Sequence, residues 1–479
     1  MIKSIFLLLI VSCCHSLFMK AQEELRFASV FTDHLVLQQK SRVKVWGYAP
    51  AKTQIRLTNS WHGEIQTAAA DSMGRWMVEL ETPAASVGAY RLTLSDGERT
   101  VTLNDVLVGE VWLCSGQSNM EMMMRNDVQW NLFVDNANKE MAVADYPAIR
   151  FIKIQRDESF TPLSEAGSDG WKVCTPQTVG TLSAVGYYFA RKLLSELNVP
   201  VGLVVDAYGG SPIQSWIPET HSTSSLYAPE RRTVNETRQK GVLKPEYNML
   251  SALYHAMLHP VVGYGIRGWL WYQGESNVGD AERYLPMMED LVGSWRSLWN
   301  ADLPFYYVQI APFQYPGYQS EKWAELADVQ SKALLSIPRT GMAVTADLGD
   351  SINIHPGKKK QVGERLALIA LAKTYHKRVK CESPVLTKLS VDRGALKAEF
   401  RFAYKGLRME GKHHEFEISA DGETYYKPAI RIKGNCVWLH SPQVPTPRYV
   451  RYGWRDACVS TLYNSERLPL GPFQASVRL

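Results

Sequence analysis

The chain runs to 479 residues, too long for one ordinary hydrophobic core, so two to four domains are expected. Its 45% hydrophobic and 21% charged residues are those of an ordinary globular protein. The formal charge of +5 includes Lys3 and Lys20 of a segment expected to be removed, and is too small and scattered for nucleic-acid binding. That balance suits an acidic sugar without arguing for one. The 14 Trp and 23 Tyr offer flat faces that suit sugar rings, but they serve equally to fill β-domain cores.

In chain order, Met1-Ile2-Lys3 and the apolar run from Ile5 to Val11 predict a signal peptide over 1–21, with the mature chain starting at Gln22. The expected location is secreted or periplasmic. The alternative is a lipoprotein anchored at Cys13, since Ile10-Val11-Ser12-Cys13 resembles a lipoprotein box. No later stretch is apolar enough for a membrane helix. The five remaining cysteines show no zinc spacing, and Cys436 and Cys458 could pair as neighbouring strands.

Residues 22–105 alternate apolar and polar positions, as in Val43–Gly47, Arg75–Leu80 and Tyr90–Leu94, which predicts a small β-sandwich. The character changes near Val106. Val106–Cys114 and Val201–Val205 read as strands buried on both faces, as do Ile266–Tyr272, Phe305–Ala311 and Met342–Thr345. Helical stretches lie between them, at Ala184–Leu197, Tyr284–Trp299 and Gln361–Tyr375. This alternation predicts a parallel α/β domain over 106–380. Residues 381–479 are again β-rich, with Lys397–Phe402 and Glu415–Ile418 alternating.

Three polar segments each follow a buried strand of the α/β layer, where ligands bind in open sheets. Gly116-Gln117-Ser118-Asn119-Met120 offers an exposed hydroxyl on a tight turn, although Met120 stands where the α/β-hydrolase elbow needs glycine. Gln273-Gly274-Glu275-Ser276-Asn277 gathers amides and a carboxylate, equally readable as a helix-capping loop. Asp347, Asp350 and His355 form the third segment, His355 being the histidine best placed at the active edge of the sheet. A nucleophile, a base, an orienting acid and oxyanion donors in one domain make the generalised triad set. The Met122–Met124 run reads as packing, Trp269 and Trp271 as core, and Lys358–Lys360 as a solvated helix start close enough to His355 to attract an anion.

These segments resemble the sialate O-acetylesterase family of the SGNH-hydrolase group. The likeness rests on VWLCSGQSNMEM (111–122), VGLVVDAYGGSPIQSW (201–216), WLWYQGESN (269–277) and IHPGKKKQVGERLALIA (354–370). Near the end, VRYGW (450–454) and LYNSERLPLGPF (462–473) add to it. The resemblance implies a three-layer α/β/α SGNH-type domain flanked by β-sandwich-like regions. It also implies a metal-free, cofactor-free esterase cleaving O-acetyl groups from glycans, most directly 9-O-acetylated sialic acids.

By the same resemblance Ser118 is the nucleophile and His355 the base. The oxyanion donors are the Ser118 N–H, a backbone N–H at Gly210, and Gln273 where the group's pattern has Asn. Gln117, Asn119, Gly209 and Asn277 would contact substrate. The third triad member is left open: positions 352 and 353 are Ile and Asn where relatives carry Asp. Glu275 comes first, Asp350 and then Asp347 follow, and a Ser–His dyad is the remaining choice. Acetylated xylan or another plant polysaccharide is the alternative substrate, and a non-catalytic glycan-binding protein the alternative of another class. Glycoside hydrolysis would need a facing carboxylate pair that the sequence does not offer. Oligomeric state is not legible.

Overall fold

A computed structural model describes residues 24–318 and 321–477, so the expected leader lies outside the described residues. The central layer is built from β1 (Thr100–Gly116), β2 (Tyr146–Lys153), β3 (Lys172–Cys174), β4 (Val201–Ala207), β5 (Gly268–Tyr272), β6 (Phe305–Val308) and β7 (Thr340–Ala343). Their order across the sheet is β3-β2-β4-β1-β5-β6-β7. All neighbouring pairs are parallel except the β2–β3 edge.

Alternate residues of each strand enter two separate cores, giving a three-layer α/β/α arrangement. On one face Trp112, Cys114 and Leu270 pack under α1 (Ala184–Leu197) and α3 (Lys359–Lys373). On the other, Leu113, Trp269 and Trp271 pack against α2 (Ala281–Trp299) through Trp295. Helix α1 has the span its sequence predicts. Ser183 caps it by accepting from the Gly186 N–H at 3.2 Å, and Asn198 closes it in the left-handed conformation.

The shift in character near Val106 has a simple origin. β1 is one long strand, partly exposed up to Asp105 and buried on both faces from Val106 onward. Its first half pairs with the strand Ser86–Ser95, and its second half lies between β4 and β5. The N-terminal strands therefore join the α/β strands in one 11-stranded sheet. A separate three-stranded sheet, in which Arg42–Tyr48 pairs with Arg75–Glu81, completes the N-terminal β-region.

The C-terminal region holds a four-stranded, a three-stranded and a two-stranded sheet around its own core of Phe400, Phe416, Val437, Val450 and Tyr452. It is fastened to the α/β layer by Asp456, which accepts from the Trp323 N–H at 2.9 Å. The pairing of Cys436 with Cys458 does not occur. Cys436 starts a strand of the four-stranded sheet, Cys458 packs against the central core, and both are free thiols. Among the described residues no helix is long and apolar enough to cross a membrane.

Candidate active site

The segments singled out in the sequence meet at the carboxyl end of the parallel strands. β1 ends at Gly116, whose φ of +132° and position against Tyr272 leave no room for a side chain, since a Cβ would fall 2.2 Å from the Tyr272 carbonyl oxygen. The chain then turns sharply into the short helix Ser118–Glu121. This turn presents Ser118 to a cleft of about 970 Å³, lined also by Gln117, Tyr208, Gly210, Glu275 and His355. His355 Nε2 lies 2.8 Å from Ser118 Oγ, hydrogen-bond distance for a nucleophile and its base. The loop around the base is fixed by the His355 backbone N–H, which donates to Asn353 Oδ1 at 2.9 Å.

The imidazole is largely desolvated. Burial, and then the neighbouring Lys359 ammonium, hold its pKa down to about 4, so it is neutral over the ordinary range. None of the carboxylates considered as its partner is bonded to it. Glu275 lines the cleft, but its Oε1 accepts from Asn119 Nδ2 at 2.6 Å. Asp350 Oδ1 accepts the N–H groups of Ile352 and Asn353, turning its own loop. Asp347 forms a two-pronged pair with Arg365 at 2.7 Å.

Asn119 is the hub beneath the site. Besides Glu275 it donates to the Ile354 carbonyl oxygen at 3.1 Å, and its Oδ1 accepts from Lys359 Nζ at 2.5 Å. The reading of Lys358–Lys360 as a solvated helix start is thus corrected at its middle residue. Lys358 and Lys360 are exposed, but Lys359 is 0% exposed and lies over the Tyr272 ring. Burial pulls the Lys359 pKa down to about 7, and burial pushes that of Glu275 up. Two buried ionisable groups are thus bridged by one carboxamide.

The residues expected to contact substrate divide. Gln117 lines the cleft, its Oε1 accepting from the Gly274 and Ser276 N–H groups at 3.3 and 3.2 Å. The Ser118 and Gly210 N–H groups have no partner among the described residues, as oxyanion donors would require. Gly209 also borders the cleft, but its N–H is taken by Glu121 Oε2 at 2.8 Å.

Asn119, Asn277 and Gln273 are buried, outside the cleft lining. Gln273 donates to Asn277 Oδ1 at 2.8 Å and to the Ser211 carbonyl oxygen at 3.2 Å, while its own oxygen accepts from Tyr284. Both amide hydrogens expected for an oxyanion are therefore used inside the fold.

The structure adds cleft residues that no motif marked: Trp130, Lys153, Arg156 and Tyr247. Lys153 and Arg156 sit at and after the end of β2, a strand whose carboxyl end is the only sequence signal for them. Among the described residues there is no cluster of three or more His, Cys, Asp or Glu that could hold a metal ion.

The profile of the carbohydrate esterase, sialic acid-specific acetylesterase family matches residues 108–372. Sialate O-acetylesterase of Rattus norvegicus is 28% identical over 526 residues, covering 94% of this chain and 94% of that protein. The Homo sapiens sialate O-acetylesterase is 27% identical over 450 residues, covering 86% and 82%. A solved carbohydrate acetylesterase from Xanthomonas citri superposes with a TM-score of 0.84 at 31% identity, covering 95% of this chain and all of that one.

Proposed function

The chain belongs to the sialic acid-specific acetylesterase family of carbohydrate esterases and is a carboxylic ester hydrolase, and on that premise we propose that it is a secreted serine esterase removing O-acetyl groups from glycans, 9-O-acetylated sialic acids first among them. The observation that carries the mechanism is the 2.8 Å contact between Ser118 Oγ and His355 Nε2 at the floor of an open cleft.

In this reading His355 takes the Ser118 proton as Oγ attacks the acetyl carbonyl carbon. The carbonyl oxygen becomes an oxyanion held by the Ser118 and Gly210 N–H groups. Collapse breaks the ester C–O bond, and His355 returns the proton to the departing sugar hydroxyl. Water, deprotonated by the same imidazole, then attacks the acetyl-serine and releases acetate. Ser118 and His355 act as a dyad. Glu275 works through Asn119, holding the nucleophile turn rather than touching the imidazole.

The test is acetate release from 9-O-acetylated sialic acid and from acetylated xylan by the wild type and Ser118→Ala. Loss of more than about 10³-fold in the variant is expected. Full activity in Ser118→Ala would overturn the mechanism, and turnover of xylan alone would move the substrate to plant polysaccharide.

A further inference from the structure

The cleft contains an ammonium group without a hydrogen-bonded oxygen. Lys153 ends β2 and lines the cleft, and its nearest polar contacts are Glu121 Oε1 at 3.8 Å and Met123 Sδ at 3.9 Å. The sulfur is within reach but a weak acceptor, and the oxygen lies beyond hydrogen-bond distance, so neither satisfies a strongly hydrated cation. Burial lowers its pKa, only partly offset by Glu121, so the site bears an incompletely met cost for the charge.

The acids around it are already engaged. Glu121 is gripped on both oxygens by Arg156, through Nε at 2.7 Å and Nη2 at 2.5 Å, and accepts the Gly209 N–H as well. Asp169 accepts from Gln155 at 3.1 Å and lies 3.4 Å from Lys172. Glu275 is bonded to Asn119, and Asp127 accepts the Trp130 N–H.

The Lys153–Arg156–Glu121 group therefore keeps one net positive charge facing the cleft. Arg156 Cζ lies over the Tyr208 ring, 4.8 Å from its centroid, with about half of the side chain still exposed. The Arg156 end of the group borders the nucleophile: a Cβ placed on Gly209 would fall 3.1 Å from Glu121 Oε2, 3.2 Å from Arg156 Nη2 and 3.4 Å from Ser118 Cβ, and Lys153 lines the same cleft as Ser118.

Resting on the esterase reading above, we propose that Lys153, braced by Arg156, binds a carboxylate carried by the acetylated sugar and so selects acidic sugars over neutral ones. A carboxylate would supply a charge-assisted hydrogen bond to an ammonium that has no bonded oxygen from the protein. A sialic acid and a uronic acid share that chemistry, and the substrates below separate them.

The experiment measures kcat/KM of the full chain on O-acetylated N-acetylneuraminic acid and on its C1 methyl ester, with acetylated galacturonic acid and its methyl ester as the second pair. The wild type should favour at least one acid over its ester by about tenfold or more. The pair that shows the preference identifies the sugar. Lys153→Met should bring that ratio close to one, Lys153→Gln should do the same if the Met variant folds poorly, and Lys153→Arg should keep the preference.

Equal wild-type rates on acid and ester in both pairs, or a preference that survives Lys153→Met and Lys153→Gln, would overturn the proposal while leaving the esterase intact. Failure of the wild type to hydrolyse even 4-nitrophenyl acetate would instead overturn the esterase reading, and this proposal with it.

Discussion

Asn119 Nδ2 donates to Glu275 Oε1 at 2.6 Å, joining the turn that carries Ser118 to the turn after β5. Because Asn119 also accepts from the buried Lys359, its removal deprives the Glu275 carboxyl and the Lys359 amine of these bonds at once. Asn119→Ala should cost about 2–4 kcal/mol of stability, the range for stranding buried polar partners. Urea unfolding followed by Trp fluorescence measures it, and an unchanged midpoint would show that the hub is dispensable.

The pH profile follows from the same cluster. The base must be neutral, and burial with Lys359 keeps His355 neutral until the pH falls through about 4. kcat/KM should therefore hold on the acid side and decline only near that value. Removing a positive charge makes the imidazole easier to protonate. Lys359→Gln should thus move the acid limb upward, towards the ordinary imidazole value of about 6.5. By linkage, folding stability should rise with pH across this same interval, because the unfolded imidazole binds a proton that the buried one refuses. A wild-type acid limb already at 6 to 7 would contradict the assignment.

Asn353 stands two residues before His355 and already accepts its N–H. Asn353→Asp keeps that acceptor and brings an anion to the base. The expected result is a several-fold gain in kcat with the acid limb shifted to higher pH, since a neighbouring negative charge favours the imidazolium. Asp350→Asn should change kcat by less than about tenfold, because Asp350 Oδ1 only turns its own loop. A collapse of activity in Asp350→Asn would restore it as the third triad member.

Trp130 lines the cleft with 69% of its surface exposed, an unusual setting for an indole unless something flat covers it. Trp130→Ala should raise KM for an acetylated oligosaccharide by about five- to tenfold, from the loss of a stacking face. The KM for 4-nitrophenyl acetate, which has no sugar, should stay the same. Parallel changes on both substrates would point to a role in the fold of the 127–132 turn instead.

Five of the seven strands of the central layer and three of its helices were legible because their signals are local and periodic, whereas β2 and β3 were not read from the sequence. Ala184–Leu197 carries an apolar stripe, and it forms a helix over those same residues. The change of pattern at Val106 was equally visible, but its meaning was not. Alternation stops there because a single strand passes from a half-exposed to a doubly buried setting. That continuity is a matter of which strands flank it.

The roles of individual polar side chains were less legible. Lys359 stands between two other lysines, and only the packing of α3 against the sheet determines that it alone points inward. Gln273 and Gln117 are both amides beside glycines in polar segments. Gln273 is consumed by Asn277, Ser211 and Tyr284, whereas Gln117 faces the cleft.

By itself, then, the sequence determined the α/β layer, the turns that end its strands, and the pairing of Ser118 with His355 as the residues to examine. Backbone propensity, apolar periodicity and glycine-dependent turns are properties of neighbouring residues, so they can be read along the chain. Only the tertiary structure decided that Glu275 serves Asn119 rather than His355, that Lys359 is buried, and that Lys153 faces the cleft without a bonded oxygen. Hydrogen-bond partners and desolvation depend on residues as far apart in sequence as Asn119 and Lys359, and no local pattern records which of them meet.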